Sequence, residues 1–162
     1  MTKVEINKLI QNCVNMLKIS NPDFEFIFEL SKNELNSLCD SDKTQQVLLN
    51  ILDNAIKYSI NSKKIEIKTM HKADFNVISI KNFGNYIDEE YLEKIFEKFY
   101  RIDSYIKSDT QGSGLGLYIA KSLIEKIQGR IEVVSSREEK FVEFLVYLPI
   151  YEVEKLTKNI GV

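Results

Sequence analysis

Residues 45–59, QQVLLNILDNAIKYS, separate polar from apolar side chains at a helical period. At about 100° per residue, Gln46, Asn50, Asp53, Asn54 and Lys57 share one arc. Leu48, Leu49, Ile51, Leu52, Ala55 and Ile56 fill the other side, as expected of an amphipathic helix laid on a core. The same period runs through Ile6, Leu9, Ile10, Cys13, Met16 and Leu17, so a first helix is expected to about Ile19, closed by Asn21-Pro22. A short edge strand over residues 3–7 precedes it. Phe24, Phe26, Phe28 and Leu30 alternate with polar residues, which predicts a half-buried strand, and residues 35–39 form a weaker one. Asp40 or Ser41 is placed to cap the second helix.

Further along, residues 65–70 and 75–81 read as a hairpin around His71-Lys72-Ala73-Asp74, followed by the loop Asn82-Phe83-Gly84-Asn85. Asp88 is expected to cap a helix with Glu89 and Glu90 in its first turn and Leu92, Ile95, Phe96 and Phe99 on its apolar face. Between residues 101 and 111 the periodicity dissolves, a length more typical of a lid or binding loop than of a plain connection. A glycine-rich GSGLGL then runs into a helix over residues 115–127, with Gly129 at its C-terminal cap. Strands over residues 131–135 and 141–148 flank the charged turn Arg137-Glu138-Glu139-Lys140, and residues 151–162 form a tail. Helices fall too irregularly for a doubly wound parallel sheet. The pattern predicts an α+β fold, a two-layer sandwich with a mixed, mostly antiparallel sheet and helices on one face.

Composition narrows the function. With 162 residues, 44% hydrophobic and 28% charged, the chain suits one domain with a real core. A net charge of −2 offers no broad basic field for nucleic acid or anionic lipid, so any phosphate must be bound by a local site. Cys13 and Cys39 form no CxxC pair and are expected to be reduced core residues. No signal peptide or membrane-spanning run stands out. A chain that begins directly in an element suits a piece of a longer protein.

Three stretches carry chemistry. Asn50 and Asn54 stand at i and i+4, which brings their amide oxygens together, and Lys57 lies one turn on. Neutral oxygens beside a lysine suit Mg²⁺ and the phosphates it accompanies, although a solvated face carrying Asn would look the same. GSGLGL lets backbone approach a ligand, and a helix N-terminus offers free N–H groups to an anion. It is neither a dinucleotide fingerprint, since no strand leads into it, nor a Walker A loop, since no Gly-Lys-Ser/Thr follows. Asn82 at a strand end could read the edge of a base, and Gly84 would let the backbone pass close by.

In this order, the stretches resemble the catalytic ATP-binding domain of sensor histidine kinases of two-component systems. That family shares its Bergerat fold with the gyrase, heat-shock chaperone and mismatch-repair ATPases. QQVLLNILDNAIKYS resembles the N box, KNFGNYI the first glycine box, IFEKFYR the F box, and GSGLGLYIAKSLIEKIQGRI the second glycine box and its helix. The resemblance covers residues 1–150 as one domain. It implies that Asn50 and Asn54 hold Mg²⁺ against the phosphates of ATP, that Lys57 and Arg101 neutralise phosphate charge, and that Tyr58 lies beside the adenine. Asn82 would hydrogen-bond the adenine amino group, with Gly84 beneath it. Ile87 and Leu117 would wall the base pocket. Gly112, Ser113, Gly114, Leu115 and Gly116 would shape backbone over the phosphate tail.

It further implies transfer of the γ-phosphoryl group to a histidine on a separate helical dimerisation and phosphoacceptor domain, and a cognate response regulator as downstream partner. The domain would be the cytoplasmic part of a membrane-anchored kinase, itself touching neither membrane nor nucleic acid. His71, the single histidine, is followed by Lys72 in a polar turn and does not suit an acceptor.

The chain departs from the family pattern twice. Asn82 stands where Asp is usual, removing charge assistance, so weaker ATP recognition is expected. Tyr86 replaces a glycine and is expected to narrow or reshape the pocket mouth. Two alternatives stay open. A hydrolytic ATPase of the same superfamily would carry Glu at the position of Asn50, and an amide cannot take a proton from water. A nucleotide-binding pseudokinase would need no transfer chemistry.

Overall fold

The structure, a computed structural model, describes residues 1–101 and 114–152. Seven strands and three α-helices follow in the order β1 (Thr2–Glu5), α1 (Ile6–Ser20), β2 (Glu25–Glu29), β3 (Asn36–Cys39), α2 (Ser41–Lys57), β4 (Lys64–Lys72) and β5 (Phe75–Phe83). After two 3₁₀ turns, Glu89–Tyr91 and Lys94–Phe96, come α3 (Gly116–Lys126), β6 (Arg130–Ser136) and β7 (Phe141–Pro149). Five strands form one sheet in the order β2-β4-β5-β7-β6. Only β2 and β4 run parallel, and every other pairing is antiparallel. β1 and β3 make a separate antiparallel pair. The mixed sheet carries α2 between α1 and α3, as the α+β sandwich expected from the pattern.

The alternation of the strands explains the layering. Ile65 and Ile67 on β4, Ile78 and Ile80 on β5, and Phe144, Val146 and Leu148 on β7 point inward and are buried. The other face buries Val77 and Tyr147 at its middle and carries ion pairs such as Lys68 with Glu29 and Lys64 with Glu66. Val47, Leu48, Ile51, Leu52 and Ala55 of α2 press onto this core with at most 1% exposure. Burial of that stripe, at about 25 cal/mol per Å² of apolar surface, is what holds the helix, since propensity alone would not. Cys13 and Cys39 are buried and free, as expected. Loss of solvation pushes the Cys13 thiol up to about 11.

The caps are specific. Asp40 Oδ1 accepts from the Lys43 N–H at 3.0 Å and starts α2. Glu5 does the same for α1, accepting from Asn7 and Lys8. The edge strand therefore ends at Glu5, two residues earlier than the pattern suggested. The β4–β5 hairpin is tighter than expected. His71 and Lys72 remain in the strand, and Ala73 takes φ 55° in the turn.

Two expectations need correction. Asn82 and Phe83 are not loop but the last residues of β5, paired with Val142 and Phe141 of β7. Residues 88–99 do not form one helix. Asp88 makes no side-chain cap bond, Glu97 is extended, and Phe99 has φ 66°. Only Ile95 and Phe96 of the expected apolar face are buried, and Phe99 is exposed. Two adjacent anchors tie down a turn. They do not supply the stripe a longer helix needs, and the flanking Tyr and Phe residues are indifferent helix formers. Residues 102–111 of the expected lid, and residues 153–162 of the tail, lie outside the described residues.

Candidate functional site

A cavity of about 390 Å³ opens where α2, the end of β5, the 3₁₀ turns and the start of α3 meet. That is within the size range of small-ligand sites. α2 contributes Asn50, Asp53, Asn54 and Lys57, with Tyr58 just beyond. These are the polar arc read from the helical period, except Gln46, which is exposed to solvent. One face of α2 therefore builds the core while the other builds the cavity.

The site is stitched across long sequence distances. Asn50 Nδ2 donates to the Gly116 carbonyl at 3.5 Å, a bond that uses its nitrogen and leaves the oxygen as an acceptor. Lys57 pairs with Asp53 at 2.8 Å, one turn back on the same helix. Asn85 Nδ2 donates to the Tyr58 carbonyl and its Oδ1 accepts from the Tyr86 N–H, which ties the loop after β5 to the end of α2. Among the described lining side chains, Lys57 and Arg101 are cations and Asp53 is a carboxylate.

Asn82 lies inward on β5 with 2% exposure, between Ile65 and Val142 in the cross-strand row. It lines the cavity, and its Nδ2 has no hydrogen-bond partner among the described residues. Ile87, Leu117, Val142, Phe144 and Ile95 give the same end an apolar wall. Phe96 holds the 3₁₀ segment down by an edge-to-face contact with Phe144, ring centroids 6.2 Å apart. Gly116 and Leu117 also open α3, whose first N–H groups have no acceptor within the helix.

Two glycines are required by geometry. Gly84 has φ +89°, and a Cβ there would stand 3.2 Å from the Asn61 backbone. Gly114 has φ +73°, and a Cβ would meet the Phe99 backbone at 2.7 Å. The Phe99 N–H in turn donates to the Gly114 carbonyl, closing the F-box stretch onto the glycine loop.

Of the residues singled out from sequence, Asn50, Asn54, Lys57, Tyr58, Asn82, Ile87, Arg101, Gly114, Gly116 and Leu117 line this one cavity. Gly84 and Leu115 do not, and Gly112 and Ser113 lie outside the described residues. Tyr86 is not among the described lining residues, and the Arg137 guanidinium of the β6–β7 hairpin lies over its ring at 5.9 Å. Asp53, Asn85, Ile95, Tyr100, Val142 and Phe144 join the lining without having been singled out for the site. Asp53 could have been found, since it shares the arc of Asn50 and Asn54. Val142 and Phe144 could not, because only the sheet register brings them to Asn82 and Ile80.

The donor set fits a magnesium nucleotide. Two amide side chains one turn apart offer neutral oxygens, a lysine and an arginine stand near, and a buried orphan amide waits at the apolar end. Among the described residues no cluster of three or more His, Cys, Asp and Glu suited to a metal occurs.

Comparison with known proteins agrees. Residues 39–152 match the family described as histidine kinase-, DNA gyrase B- and HSP90-like ATPase. The signal transduction histidine-protein kinase ArlS of Staphylococcus aureus is 36% identical over 132 residues, 82% of this chain. That match spans only 29% of the relative's length. The catalytic domain of histidine kinase ThkA superposes with a TM-score of 0.76 at 30% identity, covering 92% of this chain and 97% of that one. A mycobacterial sensor histidine kinase, MprB, gives 0.80 over 94% and 99% of the two chains; at 22% identity it speaks for the fold alone. The chain belongs to the histidine kinase-, DNA gyrase B- and HSP90-like ATPase family.

Proposed function

We propose that this chain is the catalytic domain of a protein-histidine kinase. It binds ATP with Mg²⁺ and transfers the γ-phosphoryl group to a histidine on a separate helical dimerisation and phosphoacceptor domain of the same kinase. A cognate response regulator takes the group onward. Residues 1–150 make the working domain and residues 151–162 a tail. The observation that supports this most is the convergence of Asn50, Asn54 and Lys57 of α2 with Asn82 of β5 on one cavity at the N-terminus of α3.

Phosphoryl transfer asks chiefly for positioning and charge stabilisation. Asn50 and Asn54 hold the metal through their amide oxygens, and the metal neutralises charge on the phosphates. Lys57 and Arg101 add fixed positive charge. Backbone N–H groups of Gly112, Ser113, Gly114, Leu115 and Gly116, with those of the first turn of α3, donate to the phosphate oxygens. Asn82 meets the base, Tyr58 lies beside it, and Ile87 and Leu117 exclude water around it. Hydrolysis is disfavoured because the Asn50 amide cannot take a proton from water. Among the described residues no helix is long and apolar enough to cross a membrane, which suits a cytoplasmic domain anchored through another part of its kinase.

Labelled γ-phosphate tests this with three samples: this chain, its kinase's helical acceptor domain, and the two tethered. Acid-labile label is expected on the acceptor in the tethered sample alone, and Asn54→Ala is expected to abolish it in a folded protein. Label on His71 of this chain would overturn the reading. Binding of Mg·ATP without any label in the tethered sample would favour a pseudokinase.

A further inference from the structure

β5 carries two inward asparagines, each 2% exposed. Asn76 is locked. Its Nδ2 donates to the Asn36 carbonyl and to Ser37 Oγ, both at 2.9 Å. Asn82, six residues on and on the same face, is not. Its cross-strand neighbours are Ile65 and Val142, whose apolar side chains offer its amide no hydrogen bond. Its Nδ2 is buried without a partner among the described residues, at the wall of the cavity. A buried polar group is normally satisfied, so the partner of this one is expected to come from the ligand.

An amide differs from a carboxylate in one respect that matters here. It carries a donor and an acceptor of nearly the same shape, and a half-turn about its last bond exchanges them. A carboxylate only accepts. Opposite an exocyclic amine, the amide presents its oxygen. Opposite a carbonyl, it turns and presents its nitrogen. An ionised carboxylate would meet a carbonyl with like partial charge and no hydrogen bond.

We infer that Asn82 makes the base pocket tolerant at the purine 6-position, so that the site accepts 6-oxopurine nucleoside triphosphates as well as ATP. The inference rests on reading the cavity as a nucleotide site with Asn82 facing that position. Because no hydrogen bond among the described residues holds the Asn82 Nδ2, turning the amide breaks no bond of that nitrogen there. The chain thereby exchanges strength of recognition for breadth. It loses a charge-assisted bond to the amine and gains a donor for the carbonyl.

Equilibrium titration with Mg·ATP and Mg·ITP, read by calorimetry, tests this on the unaltered protein. The inosine nucleotide changes the 6-position without adding the 2-amino group of guanine. The two dissociation constants are expected to agree within about tenfold, the scale of one net hydrogen bond. In Asn82→Asp the preference for ATP over ITP should rise by at least about tenfold, since the carbonyl then faces an acceptor that cannot turn. Wild-type preference for ATP beyond tenfold, or an unchanged ratio in a folded Asn82→Asp, would overturn the inference and leave the nucleotide site standing. Binding of neither nucleotide by the wild type would overturn the nucleotide site itself. Should the variant fail to fold, the wild-type ratio decides alone.

Discussion

Two walls of the cavity are made in opposite ways. α2 is seventeen residues of continuous helix, capped by Asp40 and fastened along its length by side chains with almost no exposure. The facing wall, residues 84–101, has two 3₁₀ turns, a positive φ at Phe99 and two buried anchors, Ile95 and Phe96. The side chains proposed to meet metal and phosphate, Asn50, Asn54 and Lys57, sit on the first wall. The second contributes Asn85, Ile87, Ile95, Tyr100 and Arg101. A site proposed to hold a cation in fixed geometry and yet admit a ligand gains from this division. The geometry is borrowed from the core, and the adjustment is left to a segment whose few contacts cost little to break.

The largest test of that contrast is a pair of truncations. Leu52→Ala removes a fully buried side chain from α2 and should lower unfolding free energy by about 3–4 kcal/mol. Ile95→Ala, at an anchor that remains 7% exposed on a short segment able to settle into the gap, should cost about 2 kcal/mol or less. Denaturant titration measures both. Equal losses would mean that the second wall is as much a part of the core as the first.

The same contrast explains what the sequence could and could not disclose. α2 was legible because its two periods, core and cavity, are printed on consecutive turns, and the polar arc Asn50-Asp53-Asn54-Lys57 reappears intact in the lining. β5 was legible as a strand but not to its end. Asn82 and Gly84 looked like a loop because their residue types suit one, and only pairing with Val142 and Phe141 carries the strand through Phe83. Residues 88–99 were misread for a related reason. Leu92, Ile95, Phe96 and Phe99 fall at helical spacing, yet Phe99 turns outward to meet Gly114. That contact lies in the tertiary structure, fifteen residues away, and no local period reports it. Phe144 entered the site through the sheet register for the same reason.

Hydrogen exchange sharpens the comparison at intermediate scale. Amides of residues 47–55 should exchange only through opening of the whole domain. Those of residues 92–101 should open locally and exchange at least a hundredfold faster after correction for intrinsic rates, roughly 3 kcal/mol less protection. Mg·ATP should slow the second set more than the first. Protection equal in both, before ligand is added, would remove the distinction between a fixed wall and a yielding one.

The smallest effect lies at the two acidic residues that begin the walls. Asp40 accepts a hydrogen bond from the Lys43 N–H, and that bond, with the charge of Lys43 adding to it, holds its carboxyl below the ordinary 3.8. Asp88 occupies the equivalent place before the first 3₁₀ turn and makes no side-chain cap bond. Asp40→Ala should therefore lower the melting temperature at neutral pH, and Asp88→Ala should leave it within error. A carboxylate whose acidity is raised by folding contributes stability that is complete above its ordinary value and is lost as pH falls through its folded value. The difference between wild type and Asp40→Ala should thus be constant from pH 7 to about 5 and shrink as pH falls below 3.8. Asp40→Asn keeps an oxygen to cap with and should show a smaller loss at neutral pH, with little of the acid dependence. Thermal melts of the three variants across that range separate a cap bound through its charge from one bound through its shape. A melting temperature unmoved by Asp40→Ala would show that packing alone fixes the start of α2.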